Sequence, residues 1–359
     1  MDSVNDVLRI NEWTTVRVPG GGRISMGDGL NAISIEDSPT NRYLVELLCE
    51  GRTVEDISVR VTELEPSLDS SDVKEALEAL VAAGVVQQGN APTALADHRY
   101  DRQLLYWRAL GASAEDAHLR LQRLQSARVL VLGCGGMGAM TALNLITCGV
   151  SNMHVVDSDE VEASNLNRSF LFTEADVGLK KSEVAAGKLR QFRKDVQVEA
   201  TTTSVQSQSD IEMLLEQTRP DYMVMAADKP YLRINRWANG AALKHDVPYS
   251  AAGVAENYAS VGPLVSPGRP GCFECQGFDT YDISDAPPAI QAHNARRTAP
   301  SFGPLISATA AIHADQIVEY LSSVDGDPAI ADTQVRLNFS TMQTETIDRS
   351  PKPECTLCR

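Results

Sequence analysis

Residues 129–140 read VLVLGCGGMGAM: an apolar run, then glycines at 133, 135, 136 and 138, then the start of a helical stretch. No other feature constrains the fold as much. A short apolar run bounded by glycine reads as a buried strand. Gly-x-Gly-x-x-Gly at its end lets the backbone turn tightly into a helix and approach a phosphate at the helix N-terminus. The fingerprint suits dinucleotide-dependent redox enzymes and equally enzymes that activate carboxylates with ATP. Asp157, 24 residues after Gly133 at the end of the run NMHVVD, suits a ribose in either case.

The next charged residues separate the two chemistries. DSDEVEASNLNRSFLF carries Asp159, Asn165 and Arg168, VGLKKSEVA carries Lys180 and Lys181, and DYMVMAAD ends in Asp228. Arginine and lysine neutralise a triphosphate and assist departure of pyrophosphate. A carboxylate holds the magnesium that triphosphate chemistry needs. Hydride transfer needs none of this set. Further strand-like runs (VQVEATTTSV, VPYSAAG) alternate with helical stretches and predict an α/β fold with a doubly wound, mostly parallel Rossmann-like sheet. VRLNFSTMQTETI reads as late strands.

Ahead of this pattern, residues 1–88 read as a small α+β unit. WTTVRVPGGGRISM predicts two strands around a Pro-Gly-Gly-Gly turn, and NAISIED a third. Ser38-Pro39 signals a helix start, and Thr53 and Asp56 resemble a capping box. Val73, Ala76, Leu77, Leu80 and Val81 trace one apolar helix face, with VVQQ beyond as a short strand or wing. Strands, helices and a wing suggest a winged-helix-like module. DNA binding is disfavoured, because residues 1–90 hold seven Lys/Arg against sixteen Asp/Glu and the whole chain carries −16. Residues 89–97 read as a linker and 98–359 as the larger domain.

No apolar run is long enough for a membrane span, and the acidic N-terminus lacks a signal-peptide core. Seven cysteines without a signal read as reduced thiols or metal ligands, so the cytoplasm is the expected compartment. Cys272 and Cys275 (CFEC) and Cys355 and Cys358 (CTLC) form two C-x-x-C pairs suited to a closed, structural zinc site. Cys49 and Cys148 are expected in the core, and Cys134 as a small loop residue.

RYDRQ, the glycine loop, DSDEVEASNLNRSF, VGLKKSE, AADKP and the two cysteine pairs together resemble the ThiF/MoeB family, the bacterial relatives of ubiquitin-activating enzymes. The resemblance implies an adenylyltransferase. Its glycine loop holds ATP, Asp157 the ribose, and Asn165, Arg168 and Lys181 the phosphates; Asp228 binds Mg2+. Arg102 of RYDRQ reaches the triphosphate of the other subunit in a homodimer. GLKK departs from the family's GQPK, leaving Lys180 or Lys181 as candidates, with Lys181 favoured by alignment. Relatives that form thioesters carry a catalytic cysteine in the region of FDTYDISDAPPAIQAHNARRTAPS, which has none, so adenylation without an enzyme thioester is expected.

The leading segment resembles, in pattern and position, the PqqD-like winged-helix modules of microcin- and pantocin-type enzymes that modify ribosomally made peptides. That implies a precursor peptide whose leader adds as a strand beside Ala32–Ile35, against the helix from Val73 to Val81. A carboxylate or carboxamide of the peptide is then activated for cyclisation, dehydration or nucleotide attachment. Two other readings stand beside it: adenylation of the C-terminal glycine of a ubiquitin-like sulfur carrier, and a non-catalytic partner that presents peptide to a cyclodehydratase.

Overall fold

The computed structural model describes residues 7–27, 32–89, 99–231, 233–269, 271–276, 286–295, 300–323, 330–331, 333–350, 352, 355 and 357–358. The chain divides into two compact units, Met1–His118 and Leu119–Arg359.

The first unit runs β1 (Val7–Ile10), β2 (Val16–Arg17), β3 (Arg23–Met26), β4 (Ile33–Glu36), α1 (Pro39–Glu50), β5 (Arg52–Thr53), α2 (Val54–Leu64), α3 (Ser70–Ala82), β6 (Val86–Gln88) and α4 (Asp101–Ala109). It contains two small antiparallel sheets, ordered β5-β1-β6 and β2-β3-β4. Helix starts follow local chemistry: Ser38 Oγ accepts from Asn41 N–H at 3.1 Å and Thr53 Oγ1 from Asp56 N–H at 3.1 Å. Each such cap contributes about 1 kcal/mol. On α3, Val73, Leu77 and Leu80 are buried while Ala76 is exposed, so the apolar face is narrower than its periodicity. They join Leu8, Ile24, Met26, Leu48 and Ile57 in one core. Cys49 departs from expectation. It sits on the exposed side of α1, whose core-facing residues are Leu44, Val45, Leu47 and Leu48.

The first unit continues beyond residue 88. Arg108 on α4 donates to Gln87 Oε1 at 2.5 Å, and its guanidinium lies 5.2 Å over the Trp13 ring. These contacts tie α4 to the first unit, and the division falls inside α5 (Ala114–Ser126).

In the second unit follow β7 (Arg128–Leu132), α6 (Gly136–Cys148), β8 (Asn152–Val156), α7 (Lys181–Phe192), β9 (Gln197–Thr201), α8 (Gln208–Thr218), β10 (Tyr222–Met225) and α9 (Arg233–Lys244). Then come β11 (Tyr249–Ala255), β12 (Tyr258–Val265), α10 (Pro288–Ala295), α11 (Gly303–Ser322), β13 (Thr333–Asn338) and β14 (Gln343–Asp348). They form a sheet ordered β14-β13-β12-β11-β10-β7-β8-β9. The pairs from β9 through β11 are parallel, and β12–β14 extend the sheet antiparallel. The central runs are buried on both faces, as a parallel sheet covered by helices requires. Order reverses at β7, whose neighbours are β8 and β10, so the carboxyl ends of these three strands bound a crevice suited to a ligand.

Candidate functional site

The glycine loop leaves β7 at that crevice. Gly133 has φ +96°, and a Cβ there would lie 2.6 Å from Ala227 N, so the loop is pressed against the segment after β10. A Cβ on Gly138 would overlap the Gly133 carbonyl oxygen. Gly136 packs against Arg168, whose carbonyl oxygen would be 2.9 Å from an added Cβ. Gly135 differs: it is the N-cap of α6, lacks a side-chain cap, and a Cβ on it would meet nothing within 4 Å. Open space thus lies beside the N-cap of α6. Unpaired N–H donors and the helix dipole favour an anion in such a place.

Asp157 follows β8 and is tied to the loop. Its Oδ2 accepts from Cys134 N–H at 2.6 Å and its Oδ1 from Asp159 N–H at 2.8 Å. Burial pushes its carboxyl above the usual range, against those two donors and the charge of Lys181. The remaining lone pairs can accept ribose hydroxyls. Cys134 is fully buried, and burial raises its thiol, so it is no nucleophile.

The two lysines diverge although they are adjacent. Lys180, the N-cap of α7, extends to Glu160 Oε1 at 3.0 Å. Lys181, the first residue of α7, is 8% exposed and reaches Asp159 Oδ2 at 2.9 Å. Burial alone would raise the Asp159 carboxyl, but the hydrogen bond and charge of Lys181, with Lys229 behind, bring it down. Lys181 is therefore the cation held beside Asp157 and the loop. Lys229 had not been singled out; its position next to Asp228 was the available signal.

Asn165 is buried in a short 3-10 turn, and its Oδ1 accepts from Glu162 N–H at 3.1 Å. Arg168 Nη1 donates to Ser164 O at 2.5 Å and Asn167 Oδ1 at 3.0 Å. Asp228 lies just past β10 and is exposed. An exposed carboxylate at the end of a central strand fits a magnesium ligand, since Mg2+ keeps several waters. Arg102 is exposed on α4 of the first unit.

The second cluster is cysteine. The sulfurs of Cys272, Cys275, Cys355 and Cys358 all lie within 4.8 Å of one another, with Cys272–Cys355 at 3.8 Å and Cys275–Cys358 at 3.5 Å. Each pair forms a knuckle of the same kind. The Cys272 sulfur faces the N–H groups of Glu274 and Cys275, and the Cys355 sulfur those of Leu357 and Cys358. Burial pushes the Cys272 thiol up. At Cys355 burial also opposes ionisation, yet the N–H groups and neighbouring thiols bring it down to about 7. Four clustered thiols with N–H donors aimed at sulfur fit Zn2+ in a closed site. The stretch in which relatives carry a thioester cysteine, residues 278–301, lies in part outside the described residues (278–285 and 296–299).

Residues 100–357 match the ThiF family. The chain is 31% identical over 168 residues to SUMO-activating enzyme subunit 2 of Dictyostelium discoideum, covering 47% of this chain but 24% of that protein. It is 28% identical over 228 residues to the sulfur carrier protein ThiS adenylyltransferase of Escherichia coli, covering 63% of this chain and 82% of that one. In fold it resembles E. coli MccB with AMPCPP and selenomethionine MccA, with a TM-score of 0.82 at 22% identity over 98% of this chain and 100% of that one. The chain belongs to the ThiF family.

Proposed function

We propose that this ThiF-family chain is an ATP-dependent adenylyltransferase acting on a ribosomally made precursor peptide. The observation that carries the reading is the buried Lys181, held with Asp157 and Asp159 beside the open N-terminus of α6. ATP supplies the AMP group and the pyrophosphate leaving group. The loop N–H groups, Lys181 and Arg168 would neutralise the phosphates, and Asn165 would hold one by its amide. Asp157 would orient the ribose, and Asp228 would hold Mg2+. A peptide oxygen, from a carboxylate or carboxamide, then attacks the α-phosphorus. The bond to the bridging oxygen breaks and pyrophosphate carries off the electron pair; a carboxylate leaves an acyl adenylate, and a carboxamide, after losing an N–H proton, an O-adenylyl imidate. Positioning and charge neutralisation supply the acceleration. In a homodimer, Arg102 would serve the partner's triphosphate.

Support for the peptide comes from the first unit and from structural likeness. The outer edge of β4 has no strand partner among the described residues, and Ile33 and Ile35 on it pack on the core. An extended leader can add there as a strand. MccB, described as a microcin C7 biosynthetic enzyme, has been captured with N-formylated MccA and with ATP. The likeness to an adenylyltransferase of a sulfur carrier protein favours a second reading, a ubiquitin-like carrier as substrate. No helix among the described residues is long and apolar enough to cross a membrane; a cytoplasmic setting accords with reduced thiols. A scaffold without catalysis fits less well, since it has no use for a buried lysine at a phosphate site.

ATP–pyrophosphate exchange tests the reading. It is expected to rise with a leader-bearing peptide, and deletion of residues 1–90 is expected to abolish peptide binding while nucleotide still binds. Exchange with a carrier ending in Gly-Gly, and with no peptide, moves the substrate to the second reading. Absence of exchange with both overturns the enzyme itself.

A further inference from the structure

Asn239 lies on α9, is 0% exposed, and takes no part in the chemistry above. Its Oδ1 accepts from the Tyr249 hydroxyl at 3.0 Å and from the Phe273 N–H at 3.1 Å. A backbone N–H can only donate, so the oxygen must face Phe273 and the amide nitrogen must face the other way. That nitrogen is buried without a hydrogen-bond partner. Cys272 directly precedes Phe273 and is buried in the same core cluster as Ala238 and Ala241 of α9, which makes its sulfur the acceptor at hand. A buried amide donor without an acceptor is destabilising, and a thiolate beside it removes that cost. A second tie points the same way: Arg236, one helical turn earlier on α9, pairs with Glu274 inside the CFEC knuckle at 3.3 Å.

We infer that Asn239 is a positioning residue for the zinc site, donating from Nδ2 to the Cys272 thiolate while its oxygen holds the first knuckle through Phe273. The site is thereby fastened to a helix of the nucleotide-binding sheet as well as to its four sulfurs. Both neutral thiol and free amide are poorly solvated there; metal, thiolate and amide satisfy one another together. The inference rests on reading the four cysteines as a zinc site.

The test uses the full chain loaded with zinc and a competing chromogenic chelator. Metal analysis of the unaltered protein comes first: about one zinc per chain is expected, and its absence overturns the zinc reading itself. Asn239→Leu removes the donor, and Asn239→Asp keeps the acceptor but puts a second acceptor against sulfur. Both are expected to lower zinc affinity about 10–100-fold, the usual effect of losing an outer-shell partner. Tyr249→Phe leaves the donor in place and is expected to stay within about threefold. Folded Asn239 variants that hold zinc as tightly as the unaltered chain overturn the inference. Should both variants fail to fold, cadmium-113 in the unaltered protein decides it by NMR. The Asn239 side-chain amide is expected to show coupling to cadmium through the N–H···S bond and slow exchange; a fast-exchanging, uncoupled amide overturns it.

Discussion

Alanine substitutions at Gly135 and Gly138, three residues apart, are both expected to weaken nucleotide binding but to differ in stability. Gly138→Ala drives a Cβ into the Gly133 carbonyl oxygen and to 3.1 Å from the Ala226 Cβ, so the loop or α6 must shift. Overpacking of this kind costs about 1–3 kcal/mol, offset by up to about 1 kcal/mol from replacing glycine inside a helix. A net loss of about 1–2 kcal/mol is expected in urea unfolding, together with loss of nucleotide binding. Gly135→Ala meets nothing within 4 Å and sits at φ −66°, where alanine is unstrained. A poorer N-cap and a stiffer unfolded chain roughly cancel, so stability should stay within about 0.5 kcal/mol. The new methyl nevertheless occupies the space over the first N–H groups of α6. Losing one charge-assisted hydrogen bond there, about 1.5–3 kcal/mol, weakens ATP about 10–150-fold. Calorimetric titration with ATP reads this directly. ATP binding unchanged by Gly135→Ala would falsify the placement of phosphate at the α6 N-terminus, whatever the result at Gly138.

The two lysines give a second contrast: Lys181→Met should lower pyrophosphate exchange at least about 100-fold, and Lys180→Met less than about threefold, because only Lys181 is buried beside the loop; equal effects refute the distinction. Arg193, 2% exposed, donates to the carbonyls of Ile146 and Val150 at 3.2 Å and pairs with Asp195, closing the end of α6. Arg193→Ala leaves those carbonyls short of donors and should cost about 2–4 kcal/mol, or a Tm drop of about 5–12 °C; a drop under about 1 °C refutes it. His313 is wholly buried, with Nε2 2.7 Å from Ser250 Oγ, and burial pushes its pKa down from 6.5 to about 3. The unfolded chain takes up that proton first as pH falls, so the stability His313 allows is complete above pH 6.5 and drains away toward pH 3. Between pH 6.5 and 5 this amounts to about 2 kcal/mol, and His313→Gln should flatten that part of the stability–pH curve; identical slopes for the two proteins count against it.

Much of this molecule was legible locally. The apolar run ending at Gly133 and the helix after Gly138 needed only the alternation of strand and helix patterns. The helix starts at Ser38 and Thr53 rest on contacts three residues apart. Parallel strands require crossovers, so the doubly wound sheet followed from the same alternation. The likeness to the ThiF family rested on motifs that each stay within a few residues. Other features were decided by contacts across the chain. Cys49 and Leu48 are sequence neighbours, yet about 100° of helix rotation leaves one exposed and the other buried. Lys180 and Lys181 part for a different reason: Lys180 is the extended N-cap and Lys181 the first helical residue of α7. Nothing near residue 108 announced that Arg108 would stack on Trp13, a contact within the first unit, which ends at His118. The cysteine pairs could be named from their spacing. Their meeting across 83 residues, and the buried amide of Asn239 beside Cys272, belong to the tertiary structure. Sequence order fixes which backbone shapes are cheap, because propensity, capping and turn chemistry act over a few residues. Which polar atom faces which is settled only when the whole core has packed, because desolvation then penalises every donor left without an acceptor.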